Sequence, residues 1–279
     1  MDKEKLIEDL IDLAIEEDIS SGDISTDAII PVKSRAVAVM TAKADGVISG
    51  LDIIRKVYER FEDDFVWHPL VKDGQRVRKG DRILEIEAGY RTLLYGERLS
   101  LNILQRMSGI ATATARYVAE LEGTNTVILD TRKTAPGMRV LDKMAVRDGG
   151  GHNHRMGLYD MVMLKDNHIK IAGGIPQAVA AVRKGLPLSV KLEVETTCLE
   201  EVRQAVEAGA DIIMFDNMDN ETMAEAVRIV AGRARTEASG NMSIPRLKEV
   251  AATGVDFISV GALTHSVTAL DISMNIIRK

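Results

Sequence analysis

Six short apolar runs between residues 126 and 261 constrain the fold of this chain more than any other feature. They alternate with segments of helical periodicity, and each run ends in polar or glycine residues. The runs are TVILD (126–130), MVML (161–164), VKLEVE (190–195), DIIMFD (211–216), RTEAS (235–239) and FISVG (257–261). Repeated alternation of strand and helix predicts a parallel sheet. Because no GxGxxG turn follows a strand, the pattern favours a TIM-like α/β barrel over a Rossmann sheet.

Helices are predicted wherever apolar residues recur at spacings of three and four. Between the strands they are expected at 139–146, 175–184, 198–208, 220–231 and 244–253. The first 123 residues predict an amphipathic helix at 3–17, strands within 34–88 interrupted by a helix at 51–61, and a long helix at 91–122. The long helix contains Arg98 and Arg106, and we predict an exposed face for Arg106.

Composition and charge exclude several classes of protein. The net charge of −6 and the pI near 5.5 argue against a nucleic-acid-binding protein. A single cysteine, Cys198, excludes an internal disulfide and fits a reducing, cytoplasmic setting. The acidic amphipathic N-terminus does not resemble a signal peptide, and no apolar run approaches the ~20 residues that cross a bilayer.

Residues 130–169 form a cationic island within this acidic chain. The stretch contains seven lysines and arginines and five aspartates. It also contains three of the five histidines of the chain and three consecutive glycines. A solvated loop is the plain alternative. However, Lys165, Asp166, Asn167 and His168 directly follow an apolar run, where polar groups are costly unless they are paired or used. The island therefore predicts a pocket for a small, strongly anionic ligand.

Carboxylates near the ends of later strands are also costly unless they are paired or bind a ligand. Glu193 and Glu195 are two residues apart and so point to one face of their strand, together with Lys191. With Asp216 on the next strand, they could hold sugar hydroxyls and Mg²⁺. The alternative is a structural layer of ion pairs with Lys191 and Lys165.

Small residues end the last two strands, as Ser239-Gly240 and Gly261-Ala262. Loops after the final strands of TIM barrels commonly bind phosphate through backbone N–H groups. The residues together predict a phosphorylated sugar that reacts with an acidic partner.

At this point the chain resembles the quinolinate phosphoribosyltransferase family. The resemblance is carried by TRKTAPGMRVLDKMAVRDGGGHNHRMGLYDMVMLKDNHI, SGIATATARYV, KLEVE, FDN, EASG and TGVDFISVGALTHS, and it extends over essentially the whole chain. It implies an α/β protein: an N-terminal α/β sandwich domain at 1–108, completed by 268–279, followed by an open, incomplete TIM-like α/β barrel at 109–267.

The resemblance also implies a reaction, in which phosphoribosyl passes from phosphoribosyl pyrophosphate to quinolinate. The products would be nicotinate mononucleotide, pyrophosphate and CO₂, as in de novo NAD biosynthesis, and Mg²⁺ would assist. It implies a homodimer in which Arg98 reaches the neighbouring subunit's site. The expected ligands of the quinolinate carboxylates are Arg132, His154, Arg155 and Lys165. Around the phosphoribosyl pyrophosphate and its metal we expect Lys133, Glu195 and Asp216, and at its phosphates Ser239, Gly240, Asn241, Gly261 and Ala262.

Within this set, the catalytic residues are expected to be Lys133, Lys165, Glu195 and Asp216, with Glu195 and Asp216 as metal ligands. One departure from the family pattern is Asn241, which stands where glycine is usual and lacks its conformational freedom. Two alternatives stay open: a paralogue, such as nicotinate phosphoribosyltransferase or the molybdate-operon relative, and a non-catalytic phosphate-sugar-binding protein.

Overall fold

The computed structural model describes residues 2–277 and contains eleven α-helices and twelve strands within that range. The helices are α1 (Lys3–Asp18), α2 (Ile24–Ile29), α3 (Leu51–Glu59), α4 (Tyr90–Glu120), α5 (Arg139–Asp148), α6 (Asp166–Ala172), α7 (Ile175–Arg183), α8 (Leu199–Glu207), α9 (Asn220–Val230), α10 (Leu247–Ala252) and α11 (Ala262–His265). The strands are β1 (Arg35–Ala42), β2 (Gly46–Val47), β3 (Val66–Pro69), β4 (Arg76–Val77), β5 (Arg82–Gly89), β6 (Val127–Leu129), β7 (Val162–Leu164), β8 (Leu192–Thr196), β9 (Ile212–Asp216), β10 (Arg235–Ser239), β11 (Phe257–Ser259) and β12 (Ile272–Ile277).

One compact unit contains residues Arg116–Lys133 and Gly151–Ala262. Its six strands form one parallel sheet in the order β6-β11-β10-β9-β8-β7, so all six strands predicted from the sequence are present. Helices follow the strands, as expected for an α/β barrel. The edge strands β6 and β7 do not pair with each other among the described residues, so the barrel is open, which confirms the predicted class.

The open edge of β6 is bordered by an irregular segment. His152 bridges Leu129 in parallel, its N–H donating to the carbonyl oxygen of Ile128 at 2.8 Å. The N–H of Asp130 returns a hydrogen bond to the carbonyl oxygen of His152 at 3.1 Å. These bonds satisfy backbone groups that an unpaired edge would expose. They also fix residues 152–155 beside the end of β6.

Helix α6 was not predicted, because none of its residues is buried and it lacks apolar periodicity. A polar cap begins the helix instead: Nδ1 of His168 accepts a hydrogen bond from the N–H of Lys165 at 3.1 Å. The polar residues Lys165 and His168, which follow the apolar run and were interpreted as part of a ligand pocket, therefore also form the start of a helix.

The other compact unit contains the chain up to Ala115, Thr134–Gly150 and the chain from Leu263. Its main sheet has the order β12-β1-β5-β3 and is antiparallel throughout. The C-terminal strand β12 pairs with β1, with Met274 opposite Met40. The 108/109 boundary drawn from the sequence stays a prediction. None of the helices described in either unit combines the length and apolar character needed to cross a bilayer.

Arg106 corrects the prediction of an exposed helical face. Its Nε and Nη2 donate to the two carboxylate oxygens of Asp142 in α5, both at 2.9 Å. Asp142 is fully buried, and burial raises the pKa of its carboxyl group while Arg106 opposes that rise. The forked guanidinium therefore satisfies a carboxylate that would otherwise be costly inside the protein.

We expect Arg106→Ala to lower the free energy of unfolding by about 2 kcal/mol, because the Asp142 carboxylate then lies buried without its partner. Urea denaturation followed by circular dichroism measures the change. Arg35→Ala is the control, since Arg35 pairs at the surface with Glu62 and should cost less than about 1 kcal/mol. An equal loss in the two variants would contradict the interpretation.

Candidate active site

A cavity of about 380 Å³ lies at the carboxyl ends of the barrel strands, and its volume suits a small-molecule ligand. The lining is dominated by charged and hydroxyl side chains. It consists of Thr131, Arg132, Lys133, His154, Arg155, Met163, Lys165, Glu195, Met214, Asp216, Glu237, Ser239 and Ser259. Four cations stand against three carboxylates in this lining. Such a cavity favours an anionic ligand that also has a cationic or metal-bound part.

Eight of the predicted site residues line the cavity: Arg132, Lys133, His154, Arg155, Lys165, Glu195, Asp216 and Ser239. Each follows or ends a barrel strand, or belongs to the segment beside β6. Gly240 and Asn241 continue directly from β10, and Gly261 and Ala262 follow β11 within three residues. Arg98 is exposed on α4, in the other compact unit. The roles predicted for these residues remain predictions.

Asp130 positions the Asn153-His154-Arg155 segment. It is fully buried at the end of β6, and its carboxylate accepts hydrogen bonds from Asn153 Nδ2 at 2.6 Å and from the N–H of His154 at 2.9 Å. Sequence reasoning counted Asp130 only as part of a polar strand end. Through these hydrogen bonds Asp130 instead holds the segment 153–155 in place, more than twenty residues later in the chain.

Arg155 extends from this segment toward β7. Its Nη1 donates to the carbonyl oxygen of Met161 at 3.0 Å. Burial and then the neighbouring Arg132 lower the pKa of Arg155. Two guanidinium groups close together in a partly buried cavity repel each other. An anion between them would relieve that repulsion, so the pair has the charge and donor geometry that a carboxylate or phosphate requires.

His154 lies over two buried carboxylates. Its Nε2 is 3.0 Å from Glu193 Oε2 and 3.4 Å from Glu237 Oε2, and both glutamates are fully buried. Burial lowers the pKa of His154, but the two carboxylates outweigh burial and raise it. Burial and then Glu237 raise the pKa of Glu193. The three groups therefore favour retention of a proton within the cluster at neutral pH.

Glu195 and Asp216 end the neighbouring strands β8 and β9. Lys165 Nζ donates to Glu195 Oε2, and Asn217 Nδ2 donates to Asp216 Oδ2 at 2.9 Å. Each carboxylate thus has one oxygen held by a neighbouring side chain. Hard oxygen donors on adjacent strand ends fit Mg²⁺, which keeps several waters and takes one or two carboxylates.

Lys191 does not join this layer. It precedes β8 at the opposite end of the barrel and lies 3.9 Å from Asp211, with 67% of its side chain exposed. Glu193 and Glu195 do share the interior face, as the period of two predicts. Their cationic partners are His154 and Lys165 rather than Lys191.

Asn217 organises the ends of β9 and β10. Asn217 and Asn241 both have positive φ, of 55° and 49°, a region that asparagine tolerates better than most residues. Asn241 Nδ2 lies 3.4 Å from Asn217 Oδ1. Asparagine at position 241 therefore keeps the left-handed conformation that a glycine would supply.

Glu237 and Ser259 line the cavity but were not among the predicted residues. Glu237 lies two residues before Ser239 on β10, and Ser259 lies two residues before Gly261. The period of two places each on the same face as its predicted neighbour. Extending that alternation back from the strand ends would have found both residues.

The chain matches two family models along nearly its full length. Residues 23–108 match the N-terminal domain, and residues 110–275 the C-terminal domain, of quinolinate phosphoribosyl transferase. The probable nicotinate-nucleotide pyrophosphorylase [carboxylating] of Bacillus subtilis (strain 168) is 43% identical over 260 residues, which are 93% of this chain and 90% of that protein.

Solved structures give the same result. NadC from Streptococcus pyogenes aligns with a TM-score of 0.94 and 41% identity, covering 97% of this chain and 96% of that one. The nicotinate-nucleotide pyrophosphorylase from Francisella tularensis aligns with a TM-score of 0.93 and 38% identity, covering 98% and 96% of the two chains. Both the architecture and the order of its elements are therefore shared with these enzymes.

Proposed function

Because this chain belongs to the quinolinate phosphoribosyltransferase family, we propose that it transfers phosphoribosyl from phosphoribosyl pyrophosphate to quinolinate with loss of CO₂. The products are nicotinate mononucleotide and pyrophosphate, a step of NAD biosynthesis. The observation that carries the proposal is the cavity itself, in which the TRK, NHR and LKDNH motifs converge with Glu195 and Asp216.

Arg132, Arg155 and Lys165 bind the two carboxylates of quinolinate. The two guanidinium groups provide forked donors that match carboxylate geometry, and Lys165 adds a point charge beside them. This arrangement orients the pyridine nitrogen toward the sugar. The nitrogen is the nucleophile, so the enzyme needs to align the reactants and does not need a nucleophilic side chain.

Glu195 and Asp216 face the ribose. Bond breaking at the anomeric carbon develops positive charge on the ring, and carboxylates fixed beforehand stabilise such charge. Lys165 and Asn217 hold one oxygen of each carboxylate, which fixes its direction before the substrate arrives. Lys133, an exposed residue at the cavity, lies where it can contact the pyrophosphate.

Mg²⁺ fits this end of the cavity, with Glu195 and Asp216 as its protein ligands, directly or through water. When bound, the ion neutralises charge on the departing pyrophosphate. The protein residues do the remaining work of binding and orientation.

Decarboxylation follows from the charge of the ring. Once the pyridine nitrogen carries the ribosyl group it is cationic, and the electron pair left by the departing CO₂ lies on the adjacent carbon. The cationic nitrogen stabilises this pair until a proton replaces the carboxylate. Arg132, Arg155 and Lys165 hold the second carboxylate in place meanwhile.

The 5-phosphate binds to the backbone N–H groups that follow β10 and β11, at Ser239, Gly240, Asn241, Gly261 and Ala262. Gly240 has φ +98°, and a Cβ there would lie 2.2 Å from Asn217 Oδ1 and 3.0 Å from Asn217 N. Close approach of the two strand ends therefore requires glycine at position 240.

We expect Gly240→Ala to weaken binding of phosphoribosyl pyrophosphate about tenfold, the loss of roughly one neutral hydrogen bond. Titration calorimetry measures the change. Gly232→Ala is a matched control, since Gly232 also has positive φ, at +72°, with no atom within 4 Å of a Cβ. The control should lose about 1–2 kcal/mol of stability from backbone strain and keep its affinity. Equal affinities in the two variants would remove the loop from the phosphate site.

The reaction is tested by release of ¹⁴CO₂ from quinolinate labelled in its 2-carboxylate, with phosphoribosyl pyrophosphate and Mg²⁺ each omitted in turn. Release that requires both supports the proposal, and absence of release removes it. Nicotinate replaces quinolinate in a parallel reaction, because formation of nicotinate mononucleotide from nicotinate would identify a nicotinate phosphoribosyltransferase. Binding of both ligands without product would identify a sugar-phosphate-binding protein.

We also propose that the enzyme is a homodimer and that Arg98 contributes to the partner's cavity. The support is the family resemblance of the GERLSLN segment and the exposure of Arg98 on α4.

Mixing inactive Arg98→Ala with inactive Lys165→Ala, after dissociation and reassociation, should restore up to about a quarter of the activity. A mixture of Arg116→Ala and Lys165→Ala controls for assembly, since Arg116 is also exposed on α4. Absence of recovery in the first mixture would contradict the shared site.

A further inference from the structure

Glu193, Glu237 and His154 form a buried group that the proposed reaction does not use. We call these three residues the histidine anchor. Glu193 lies on β8 and Glu237 on β10, the two strands that flank β9. Their carboxylates meet at Nε2 of His154, at 3.0 Å and 3.4 Å. Two fully buried carboxylates are expensive in free energy, so their presence beneath an anion site calls for a physical explanation.

The other ring nitrogen supplies it. His154 Nδ1 accepts a hydrogen bond from the backbone N–H of Arg155 at 2.8 Å. A nitrogen that accepts carries no proton, so the ring proton lies on Nε2 and faces the two carboxylates. The ring is only 7% exposed, Nδ1 is hydrogen-bonded and Nε2 lies close to two buried carboxylates, so the surroundings favour one ring orientation.

A metal ion at the histidine anchor would compete with the ring proton on Nε2. One atom from each residue lies within 4.8 Å of the others, a spacing that could hold an ion. A metal would need the lone pair of Nε2, however, and in this tautomer Nε2 carries the proton. The carboxylates therefore orient the ring.

We propose that Glu193 and Glu237 are positioning residues, which act through the His154 ring to fix the backbone of Arg155 and so aim its guanidinium into the cavity. The chain of contacts runs from the two carboxylates to Nε2, from Nδ1 to the Arg155 amide, and from Arg155 Nη1 to Met161 at 3.0 Å. This inference rests on the proposed function, in which Arg155 binds a quinolinate carboxylate. It assigns His154 an indirect role, and direct contact with quinolinate is the rival.

Three variants of the anchor test this. Glu237→Leu removes one of the two carboxylates that face Nε2 and leaves the ring held from the Glu193 side alone. Quinolinate affinity measured by calorimetry should therefore fall at least tenfold, while affinity for phosphoribosyl pyrophosphate stays within twofold. Glu237→Gln keeps an acceptor for Nε2–H and should rescue quinolinate affinity to within threefold of the wild type. Thr236→Val is the control, because Thr236 is also buried on β10 but bonds Asp256, and it should leave both affinities unchanged. Glu193→Gln should behave as Glu237→Gln.

Two spectroscopic readouts separate this inference from the proposed function, because neither needs the reaction. Hydrogen exchange at the Arg155 amide should be slow in the wild type and at least tenfold faster in Glu237→Leu. The ¹⁵N spectrum of the His154 ring, assigned with His154→Gln, should show a protonated Nε2 and an unprotonated Nδ1 that quinolinate does not shift.

Failure of the wild type to bind quinolinate would remove the proposed function and leave the exchange result to decide on the anchor. Unchanged amide exchange in Glu237→Leu, or equal loss of both ligand affinities, would overturn the anchor. A large shift of the His154 ring resonances on addition of quinolinate would establish the rival role. If Glu237→Leu does not fold, Glu193→Leu takes its place. Faster hydrogen exchange at the Arg155 amide in that variant supports the anchor, and unchanged exchange overturns it.

Discussion

Lys165→Ala is expected to lower kcat for CO₂ release about 10³-fold, or about 4 kcal/mol of transition-state stabilisation. Two effects combine in this variant. The cavity loses the cation that we propose binds a substrate carboxylate, and Glu195 loses the donor that holds its Oε2. A carboxylate without that donor rotates away from the ribose, so the developing positive charge is stabilised less well. Steady-state kinetics with both substrates varied gives kcat and each KM.

Lys191→Ala is the matched control for this loss. Lys191 lies in the same barrel, but at the amino end of β8, and contacts Asp211 at the surface. Its removal should change kcat less than twofold, because surface ion pairs contribute about 1 kcal/mol or less to stability. Lys165→Arg keeps the charge but alters its reach, and should recover only part of the rate. A loss of less than tenfold in Lys165→Ala would exclude Lys165 from the catalytic step.

The barrel strands could be predicted because each strand is encoded by a short, continuous stretch of sequence. Each strand is a short apolar run, and the residue after each run must lie at the carboxyl edge where parallel strands meet. That rule alone brings Lys165, Glu195, Asp216 and Ser239 to one cavity. Local pattern did not predict α6, because this helix begins at a histidine cap and none of its residues is buried.

Long-range pairing was not predictable from local pattern. Nothing near Arg106 in the sequence indicates that Asp142, 36 residues away, will bind it. Likewise the ring of His154 meets Glu193 and Glu237, which lie 39 and 83 residues farther along the chain. Alternation places each glutamate on an interior face, but only the three-dimensional structure shows that the two faces converge on one nitrogen. Buried polar groups find partners by proximity in space, and sequence spacing does not encode that proximity.

Arg155→Ala is expected to lower kcat/KM for quinolinate about 10²-fold, or about 3 kcal/mol, with little loss of stability. Arg155 and Arg132 repel each other in the ligand-free cavity, and that repulsion together with burial lowers the pKa of Arg155. Removing Arg155 relieves the repulsion while it deletes the hydrogen bond to Met161. These opposing changes should leave the free energy of unfolding within about 1 kcal/mol of the wild type, since binding residues are often strained in the free protein.

Measuring kcat/KM and the free energy of unfolding in the same variants separates a binding role of Arg155 from a structural role. Arg183→Ala removes an arginine that bonds Asp211 and a backbone carbonyl oxygen on the outside of the barrel, and it should leave kcat/KM unchanged. Arg155→Lys keeps the positive charge without the forked donors, so it should recover at most about tenfold of the lost kcat/KM. Saturating quinolinate should not rescue Arg155→Ala fully, because a misdirected ring nitrogen lowers kcat as well as affinity. If Arg155→Ala instead unfolds at a much lower urea concentration with kcat/KM intact, Arg155 is a structural residue and the carboxylate site must be built from Arg132 and Lys165 alone.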